Sequence, residues 1–271
     1  MPIQVQSEIC IFDQAEYTAV NRQVLRLAFD IHNEFGKLLN EELYKRELAA
    51  RCVDAGHSPV EREVRIQAMH GDFRKDYVMD MIIAKGLLLE AKSIESLTIT
   101  HRTQTLNYLL LTGMRHGTLI NFRTPRVEHQ YVSTNLTPEL RHKFTLDDRR
   151  WLRQDGDADW LKQQMVCLLE DWGAFLDVTL YREAIIHLLK GTHGGHHPVG
   201  IVSGTRLLGT LNLSLLTEKS AFIISAVTVA PPEYESHLSR MLHHTNLNHM
   251  HWINLNHHNI SFTSLSNSSK S

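Results

Sequence analysis

The sequence predicts an α/β fold, in which helices flank a mixed β-sheet and a second, smaller α/β unit of similar order follows. Two observations carry this prediction. Periodic apolar residues in the first half indicate the order helix, three strands, helix, strand. Three segments of that half are echoed, in the same order, at offsets of roughly 133–137 residues. The 271 residues are enough for one large domain or two ordinary ones.

The first elements follow from apolar spacing. Residues 1–15 show no clear period, so we expect a lead-in. From about Glu16 apolar residues recur at helical spacing, and Gly36 separates this helix from a second one that ends near Cys52. After a turn cluster, alternating apolar residues predict a strand over Glu63–Met69.

Residues 77–92 are two apolar arms joined by a short turn, which predicts a β-hairpin. If the loop is 84–86 with Gly86 in the left-handed conformation, Ile83 pairs with Leu87. That register fixes which side chains of the two arms lie opposite each other.

In this register Asp80 lies opposite Glu90, and Lys92 lies on the same face because side chains alternate along a strand. Two opposed carboxylates repel each other and cost stability. A hard divalent cation would reverse that effect, since Mg²⁺ is usually held by one or two carboxylates together with substrate phosphate oxygens. The alternative is the exposed polar face of an edge hairpin.

The rest of the chain completes the organisation. Thr100 is a candidate N-cap for a helix that ends near Gly113, and Thr118–Phe122 reads as a short strand. We expect a lead-in at 1–15, a first domain at 16–135, a linker at 136–159, a degenerate second domain at 160–263 and a disordered tail at 264–271.

The second domain keeps the apolar framework of the first without its charged triad. The three echoes pair Trp172–Ala184 with Phe35–Glu47, Phe222–Thr228 with Leu87–Ser93, and His251–Asn256 with Thr118–Arg123. At an offset of about 135, Asp80, Glu90 and Lys92 correspond to Leu215, Ser225 and Val227. The second domain is therefore not expected to perform the same metal chemistry.

Composition limits the class of protein. A chain with 42% hydrophobic and 21% charged residues is typical of a globular protein in water. No run approaches the ~20 apolar residues of a membrane helix, and the first residues do not resemble a signal peptide. Cys10, Cys52 and Cys167 form neither a disulfide framework nor a CxxC site, so we expect a reducing, cytoplasmic location without a membrane partner.

Basic residues are concentrated just beyond the hairpin. Residues 102–153 contain nine Lys or Arg and four Asp or Glu. A basic strip beside a carboxylate pair suits a phosphate backbone, which favours nucleic acid as the partner. Arg102, Arg123 and Arg126 are the candidate substrate-binding residues.

The pattern Asp80, Glu90, Lys92 on a hairpin resembles the PD-(D/E)XK nuclease superfamily. Two more motifs strengthen the resemblance. Gln104 and Tyr108 form a QxxxY on the next helix, as in the RecB-like branch, and Glu41 with Tyr44 resembles the motif that names the GxxExxY family.

Gly117–Phe122 is similar to a further strand of that family, and the resemblance covers roughly residues 20–135. Leu38 occupies the position of the first motif glycine, with Gly36 upstream, so the bend before Glu41 differs from the family pattern.

The resemblance implies a fold, a cofactor and residue roles. The fold would be the mixed sheet of restriction endonucleases, and the cofactor Mg²⁺ or Mn²⁺. Metal ligands would be Asp80, Glu90, the carbonyl of Ala91 and Glu41. Lys92 would orient the attacking water or neutralise the phosphate, and Gln104 and Tyr108 would position substrate or brace Lys92. The implied activity is hydrolysis of phosphodiester bonds in nucleic acid, with DNA as the expected substrate.

Other interpretations stay open. Glu41 could be solvated surface, Gln104 could cap its helix, and Lys92 could be an ion-pair partner for Asp80 or Glu90. The whole fold could serve as a catalytically inactive module for nucleic-acid binding or protein interaction, or as an assembly protein. The second domain could hold substrate or form a homo-oligomer. Eleven of the 18 histidines lie in the second half, but without metal-binding spacing, so structural histidines are favoured over a zinc site.

Overall fold

The computed structural model describes residues 2–152, 156–189 and 196–267. The chain divides into two compact units. Unit 1 contains Met1–Met69 and Arg74–Pro138, and unit 2 contains His70–Phe73 and Glu139–Ser271. In the described ranges, no helix is long and apolar enough to cross a membrane.

Unit 1 is a six-stranded mixed sheet with three helices. Its elements are β1 (Ile3–Val5), α1 (Gln14–Phe35), α2 (Glu41–Asp54), β2 (Val60–His70), β3 (Phe73–Ile83), β4 (Leu87–Lys92), α3 (Ile99–Thr112), β5 (His116–Asn121) and β6 (Glu128–Ser133). The sheet order is β1-β2-β3-β4-β5-β6, with β4 and β5 parallel. The α/β fold class with a mixed sheet is thereby confirmed.

The N-terminal segment is more ordered than the expected lead-in. Ile3–Val5 forms β1, which pairs antiparallel with β2. Asp13 then caps α1, because its carboxylate accepts hydrogen bonds from the amides of Ala15 and Glu16 while the Glu16 carboxylate accepts from the Asp13 amide. Short strands at sheet edges depend on a partner rather than on periodicity, so the residues of β1 carry no signal of their own.

The hairpin register is confirmed, but the turn differs from the prediction. Ile83 pairs with Leu87. The left-handed residues are Ala84 (φ 50°) and Lys85 (φ 62°), and Gly86 is not among them. Glycine is required at position 86 for another reason: a Cβ there would lie 2.3 Å from the ring of Phe12.

Helix α3 starts two residues earlier than expected. Its N-cap is Thr98, whose amide and hydroxyl both contact the Nδ1 atom of His101 at 3.0 Å. Thr100 therefore lies inside the helix rather than at its cap. The predicted end is confirmed, since Gly113 is the C-cap in the left-handed conformation (φ 76°).

Unit 2 is also a six-stranded mixed sheet with helices. The elements after β6 are α4 (Pro138–Arg141), β7 (Thr145–Arg150), α5 (Gly156–Trp172), α6 (Val178–Leu188), β8 (His196–Ser203), β9 (Arg206–Thr217), β10 (Ser220–Ser225), α7 (Pro231–His243), β11 (His249–Asn256) and β12 (Asn259–Ser266). The sheet order is β7-β12-β11-β10-β9-β8.

Segments expected to be irregular in the second half contain regular structure. The stretch 136–159 includes α4, β7 and the start of α5. Residues 264–266 belong to β12, because β12 pairs with β11 along its whole length. The rest of the predicted tail, 268–271, lies outside the described residues, as do Arg153, the last residue of the basic strip 102–153, and His193, one of the eleven histidines of the second half.

The two units share strand order and individual hydrogen bonds. In each, an antiparallel hairpin is followed by a parallel strand and then an antiparallel one: β3-β4-β5-β6 in unit 1 and β9-β10-β11-β12 in unit 2. The hydroxyl of Tyr44 donates to the carbonyl of Gly36 at 2.6 Å, and that of Tyr181 donates to the carbonyl of Gly173 at 2.5 Å.

A second shared feature is a buried asparagine on the parallel strand. The Asn121 side chain accepts from the Ile94 amide and donates to the Ile94 carbonyl, at 3.1 and 2.8 Å. Asn254 makes the same pair of bonds with Val227, at 2.8 and 2.9 Å. These matched buried bonds indicate that the parallel pairs β4–β5 and β10–β11 correspond in register.

This correspondence corrects the sequence alignment by two residues. Asn121 lies opposite Lys92, and Asn254 lies opposite Ser225. The same register, continued by one residue pair into β9, places Leu213, Ile223 and Ser225 at the positions of Asp80, Glu90 and Lys92. The sequence alignment had placed Leu215, Ser225 and Val227 there. The absence of the charged triad from unit 2 holds on either alignment.

We expect Asn121→Ala and Asn254→Ala to lower the free energy of unfolding of their respective units by similar amounts, about 2–3 kcal/mol each. Each substitution leaves a backbone amide and a carbonyl without their side-chain partner. Urea unfolding measures the effect, and Asn33→Ala at an exposed site on α1 is the control. A change below about 0.5 kcal/mol at either asparagine would contradict the inferred anchoring role.

Candidate active site

Asp80 and Glu90 lie side by side on adjacent antiparallel strands, and both are buried. Asp80 is 8% exposed and Glu90 is 1% exposed. The Asp80 amide donates to Glu90 Oε1 at 3.0 Å, and the Ala91 amide donates to Asp80 Oδ2 at 2.8 Å. The two strands thus orient both carboxylates through backbone donors, as the hairpin register requires.

The charges of this pair are costly in the protein interior. Burial raises the pKa of Glu90 above its usual value, and repulsion by Asp80 raises it further, while Lys92 opposes both effects. A carboxyl group in this environment gains stability from any additional positive charge. The electrostatics therefore favour a cation at these two side chains.

Lys92 points its ammonium group at both carboxylates. Its Nζ atom is 3.5 Å from Glu90 Oε2 and 3.8 Å from Asp80 Oδ2. These distances are longer than those of strong charge-assisted hydrogen bonds, which are about 2.7–2.9 Å. The ammonium is close enough to stabilise negative charge beside the pair and is not locked into a short bond with either carboxylate.

Lys45 is a second buried lysine at the site, and it is not among the residues predicted from the sequence. Its Nζ atom donates to Glu63 Oε1 at 2.8 Å and to Asp80 Oδ1 at 3.0 Å, and it lies 3.9 Å from Glu41 Oε1. Burial would lower the pKa of Lys45, but the hydrogen bonds to Glu63 and Asp80 raise it well above its usual value. Lys45 is therefore a permanent positive charge beside Asp80. The feature of the sequence that could have identified Lys45 is its position four residues after Glu41, which places both side chains on the same helix face.

Glu63 reaches this cluster from a distorted part of β2. Its φ angle is 52°, a left-handed conformation that is strained for a residue with a side chain. The distortion accompanies the bond between the Glu63 carboxylate and Lys45. Neither the spacing nor the residue type of Glu63 identified it as a site residue in the sequence, because the backbone distortion is visible only in three dimensions.

Glu41 and Tyr44 lie on the first two turns of α2, after the N-cap Asn40. Glu41 Oε2 accepts from the amide of Ser93, directly after Lys92, at 3.2 Å. This bond brings Glu41 to the end of β4 rather than leaving it as isolated surface. Tyr44 is fully buried: its ring stacks on Phe122 with centroids 4.4 Å apart, and its hydroxyl donates to the Gly36 carbonyl, so its role is structural.

Gln104 and Tyr108 form a pair on one face of α3. Gln104 Nε2 donates to the Tyr108 hydroxyl at 2.7 Å. The pKa of Tyr108 is raised to about 12, mainly by burial and also by the negative charges of Glu90 and Asp80, while the hydrogen bond from Gln104 opposes this rise. Within the described residues, no hydrogen bond joins this pair to Lys92.

The three candidate substrate arginines occupy two places. Arg102, on α3, donates to the carbonyl of Tyr131 on β6 at 3.0 Å. Arg123 and Arg126 are exposed in the loop after β5, and the Arg123 amide donates to Asn121 Oδ1 at 3.1 Å. None of these guanidinium groups contacts Asp80, Glu90 or Lys92 in the part of the chain that the structure describes.

The carboxylates at the site fit a hard divalent cation. Five carboxylates lie within 4.0 Å of the ammonium groups of Lys45 or Lys92, namely those of Glu41, Glu42, Glu63, Asp80 and Glu90. Glu42 also pairs with Arg46 and Arg62, so five negative charges face four positive ones when all are ionised. The described residues contain no ready-made group of three or more His, Cys, Asp or Glu ligands. Two carboxylates suffice for Mg²⁺, however, because water and phosphate oxygens supply its other ligands. Asp80 and Glu90 would hold the ion, and the roles of Ala91 and Glu41 stay predictions.

Comparison with known proteins finds similarity to a family and to a solved structure. Residues 18–133 match the model of the PD-(D/E)XK nuclease superfamily, so this part of the chain is similar to that superfamily. A chain titled "Crystal structure of SSO0001" is similar, with 20% identity and a TM-score of 0.29, and the match covers 44% of this chain and 62% of that chain. The match thus spans less than two thirds of that chain. No curated protein matches this sequence.

Proposed function

We propose that this protein is a metal-dependent nuclease that hydrolyses phosphodiester bonds in DNA, with Mg²⁺ or Mn²⁺ as its cofactor. The observation that carries the proposal is the convergence of Asp80, Glu90 and Lys92. The Lys92 ammonium lies within 3.8 Å of both carboxylates, inside the domain that matches the nuclease superfamily. We further propose that unit 2 is a degenerate copy of unit 1, since it shares strand order and buried bonds but lacks the triad.

Each residue of the site has a distinct chemical role in this proposal. When bound, the metal ion lowers the pKa of a water molecule and offsets negative charge on the phosphate. Asp80 and Glu90 hold their carboxylates in place through the amides of Ala91 and Asp80. Lys92 donates to a phosphate oxygen as negative charge develops there.

The groups around the triad complete these roles. Glu41 extends the acidic rim of the site through its bond to the Ser93 amide. Tyr108, held by Gln104, keeps a neutral hydroxyl and positions substrate. The exposed Arg123 and Arg126 follow the strand beside β4 and supply contacts to the phosphate backbone.

The direct test is incubation of the purified protein with labelled single-stranded DNA, double-stranded DNA and RNA, with Mg²⁺, Mn²⁺ or EDTA. We expect cleavage of DNA only when a divalent ion is present. Cleavage that persists in EDTA, or no cleavage of any substrate with either ion, would count against the proposal. Cleavage of RNA alone would keep the chemistry and correct the substrate.

The second candidate is a catalytically inactive nuclease fold that binds nucleic acid or protein. The bond between Lys45 and Asp80 favours it, because an internal ammonium already neutralises one carboxylate of the pair. The two candidates differ in their response to metal.

Calorimetric titration with Mn²⁺ separates the two candidates. For a nuclease we expect one divalent-ion site in the wild-type protein and its loss in Asp80→Ala, with Asp76→Ala on the exposed part of the same strand as the control. Equal heats in wild type and Asp80→Ala would favour the inactive module.

A further inference from the structure

A groove in unit 1 lies between α1 and the edge strand β6, and none of the proposed metal ligands lines it. This α1–β6 groove has a volume of about 770 Å³. Its lining includes Tyr17, Arg22, Arg26, Phe29, His129 and Tyr131. The volume falls in the range of roughly 300–1,000 Å³ that is typical of ligand sites.

Aromatic rings form a continuous row along this groove. The ring centroids of Phe29 and His129 are 6.2 Å apart, those of His129 and Tyr131 are 5.3 Å apart, and those of Tyr131 and Tyr17 are 6.4 Å apart. Tyr131 is 52% exposed and Phe29 is 37% exposed. Large rings left this accessible in a row offer faces on which flat ligand rings can stack.

Positive charge accompanies the rings. Arg22 and Arg26 are exposed, lie one helical turn apart on α1, and form no ion pair with any residue in the described ranges. Asp30 is the acidic residue of the lining. Two guanidinium groups against one carboxylate in the lining make the groove complementary to an anionic ligand.

We propose that the α1–β6 groove binds unpaired nucleotides of single-stranded nucleic acid, with bases stacked on the ring row and phosphates on Arg22 and Arg26. This combination of aromatic faces and basic side chains is the one used to bind single strands. In a duplex the base faces are already stacked on each other, so a duplex cannot use the ring row. The inference rests on the proposed nuclease function and specifies its substrate class.

Fluorescence anisotropy with a fluorescein-labelled oligothymidine strand in EDTA tests the groove without cleavage. For Arg22→Ala/Arg26→Ala, we expect the slope of log K against log salt concentration to become shallower by about 1.4, since each lost phosphate contact on a single strand contributes about 0.7. For Tyr131→Ala we expect about 10-fold weaker binding, whereas Tyr131→Phe retains the ring and the affinity.

Arg206→Ala/Lys219→Ala, two exposed positions in unit 2, is the charge-matched control, and it should leave both the affinity and the salt slope unchanged. The inference is overturned if the strand does not bind, if duplex DNA binds more tightly than the single strand, or if the groove variants match the control. Because no divalent ion is present, binding is measured independently of cleavage. If the groove binds the strand but the protein does not cleave DNA when metal is added, the inference holds and the proposed activity is wrong. A second outcome is that the protein cleaves DNA with metal, while its groove variants bind the strand as tightly as the control. That outcome supports the proposed activity and overturns the inference about the groove.

Discussion

Lys92→Met is expected to slow cleavage of labelled DNA by about 100- to 1,000-fold, the loss typical of removing one donor that stabilises transition-state charge. Lys92 Nζ lies 3.5 Å from Glu90 and 3.8 Å from Asp80, so in the free protein its charge also offsets their repulsion. Methionine keeps the length of the side chain but removes the charge. Binding of the divalent ion should therefore be retained or strengthened while cleavage is lost.

This separation of binding from cleavage distinguishes a reactive lysine from a structural one. Single-turnover cleavage gives the rate, and calorimetry with Mn²⁺ gives the affinity for the ion. The matched control is Lys85→Met in the turn of the same hairpin, where the lysine contacts Glu8 instead of the carboxylate pair. If Lys92→Met cleaves as fast as Lys85→Met, Lys92 serves only as an ion-pair partner.

The triad could be predicted from the sequence because its geometry is local. Two apolar arms of fixed length, joined by a short loop, allow few registers, and period-two alternation then puts Asp80, Glu90 and Lys92 on one face. The mistake about Gly86 did not disturb this result. Ala84 and Lys85 adopt the left-handed conformation in its place, and the Ile83–Leu87 pair is unchanged.

The remainder of the site depends on contacts between distant segments, which spacing does not reveal. Lys45 reads as an ordinary helix-surface lysine until β2 and β3 bring Glu63 and Asp80 to it. The groove is a similar case, since Phe29 on α1 and Tyr131 on β6 are about a hundred positions apart. The sequence alignment of unit 2 with unit 1 was wrong by two residues, because similar apolar runs can be aligned at several offsets. The buried hydrogen bonds of Asn254 fit only one of these offsets.

Lys45→Met is expected to destabilise the metal-free protein by about 3 kcal/mol, because it removes the closer of the two ammonium groups beside buried Asp80 and leaves only Lys92, at 3.8 Å. Lys45 is 8% exposed, so water replaces the lost bond poorly. The same substitution removes a positive charge 3.0 Å from a proposed metal ligand. We therefore expect divalent ions to bind about tenfold more tightly, which at saturation adds about 1.4 kcal/mol to the stabilisation by metal.

Urea unfolding with and without Mg²⁺ measures both effects in one experiment. Arg46→Met, at the next and exposed position of α2, is the control, and Lys45→Arg should retain most of the stability because it keeps the charge. In this view the ammonium of Lys45 and the divalent ion stabilise the same carboxylate, so removing one increases the dependence on the other. Equal stabilisation of wild type and Lys45→Met by Mg²⁺ would show that Lys45 does not act on the metal site.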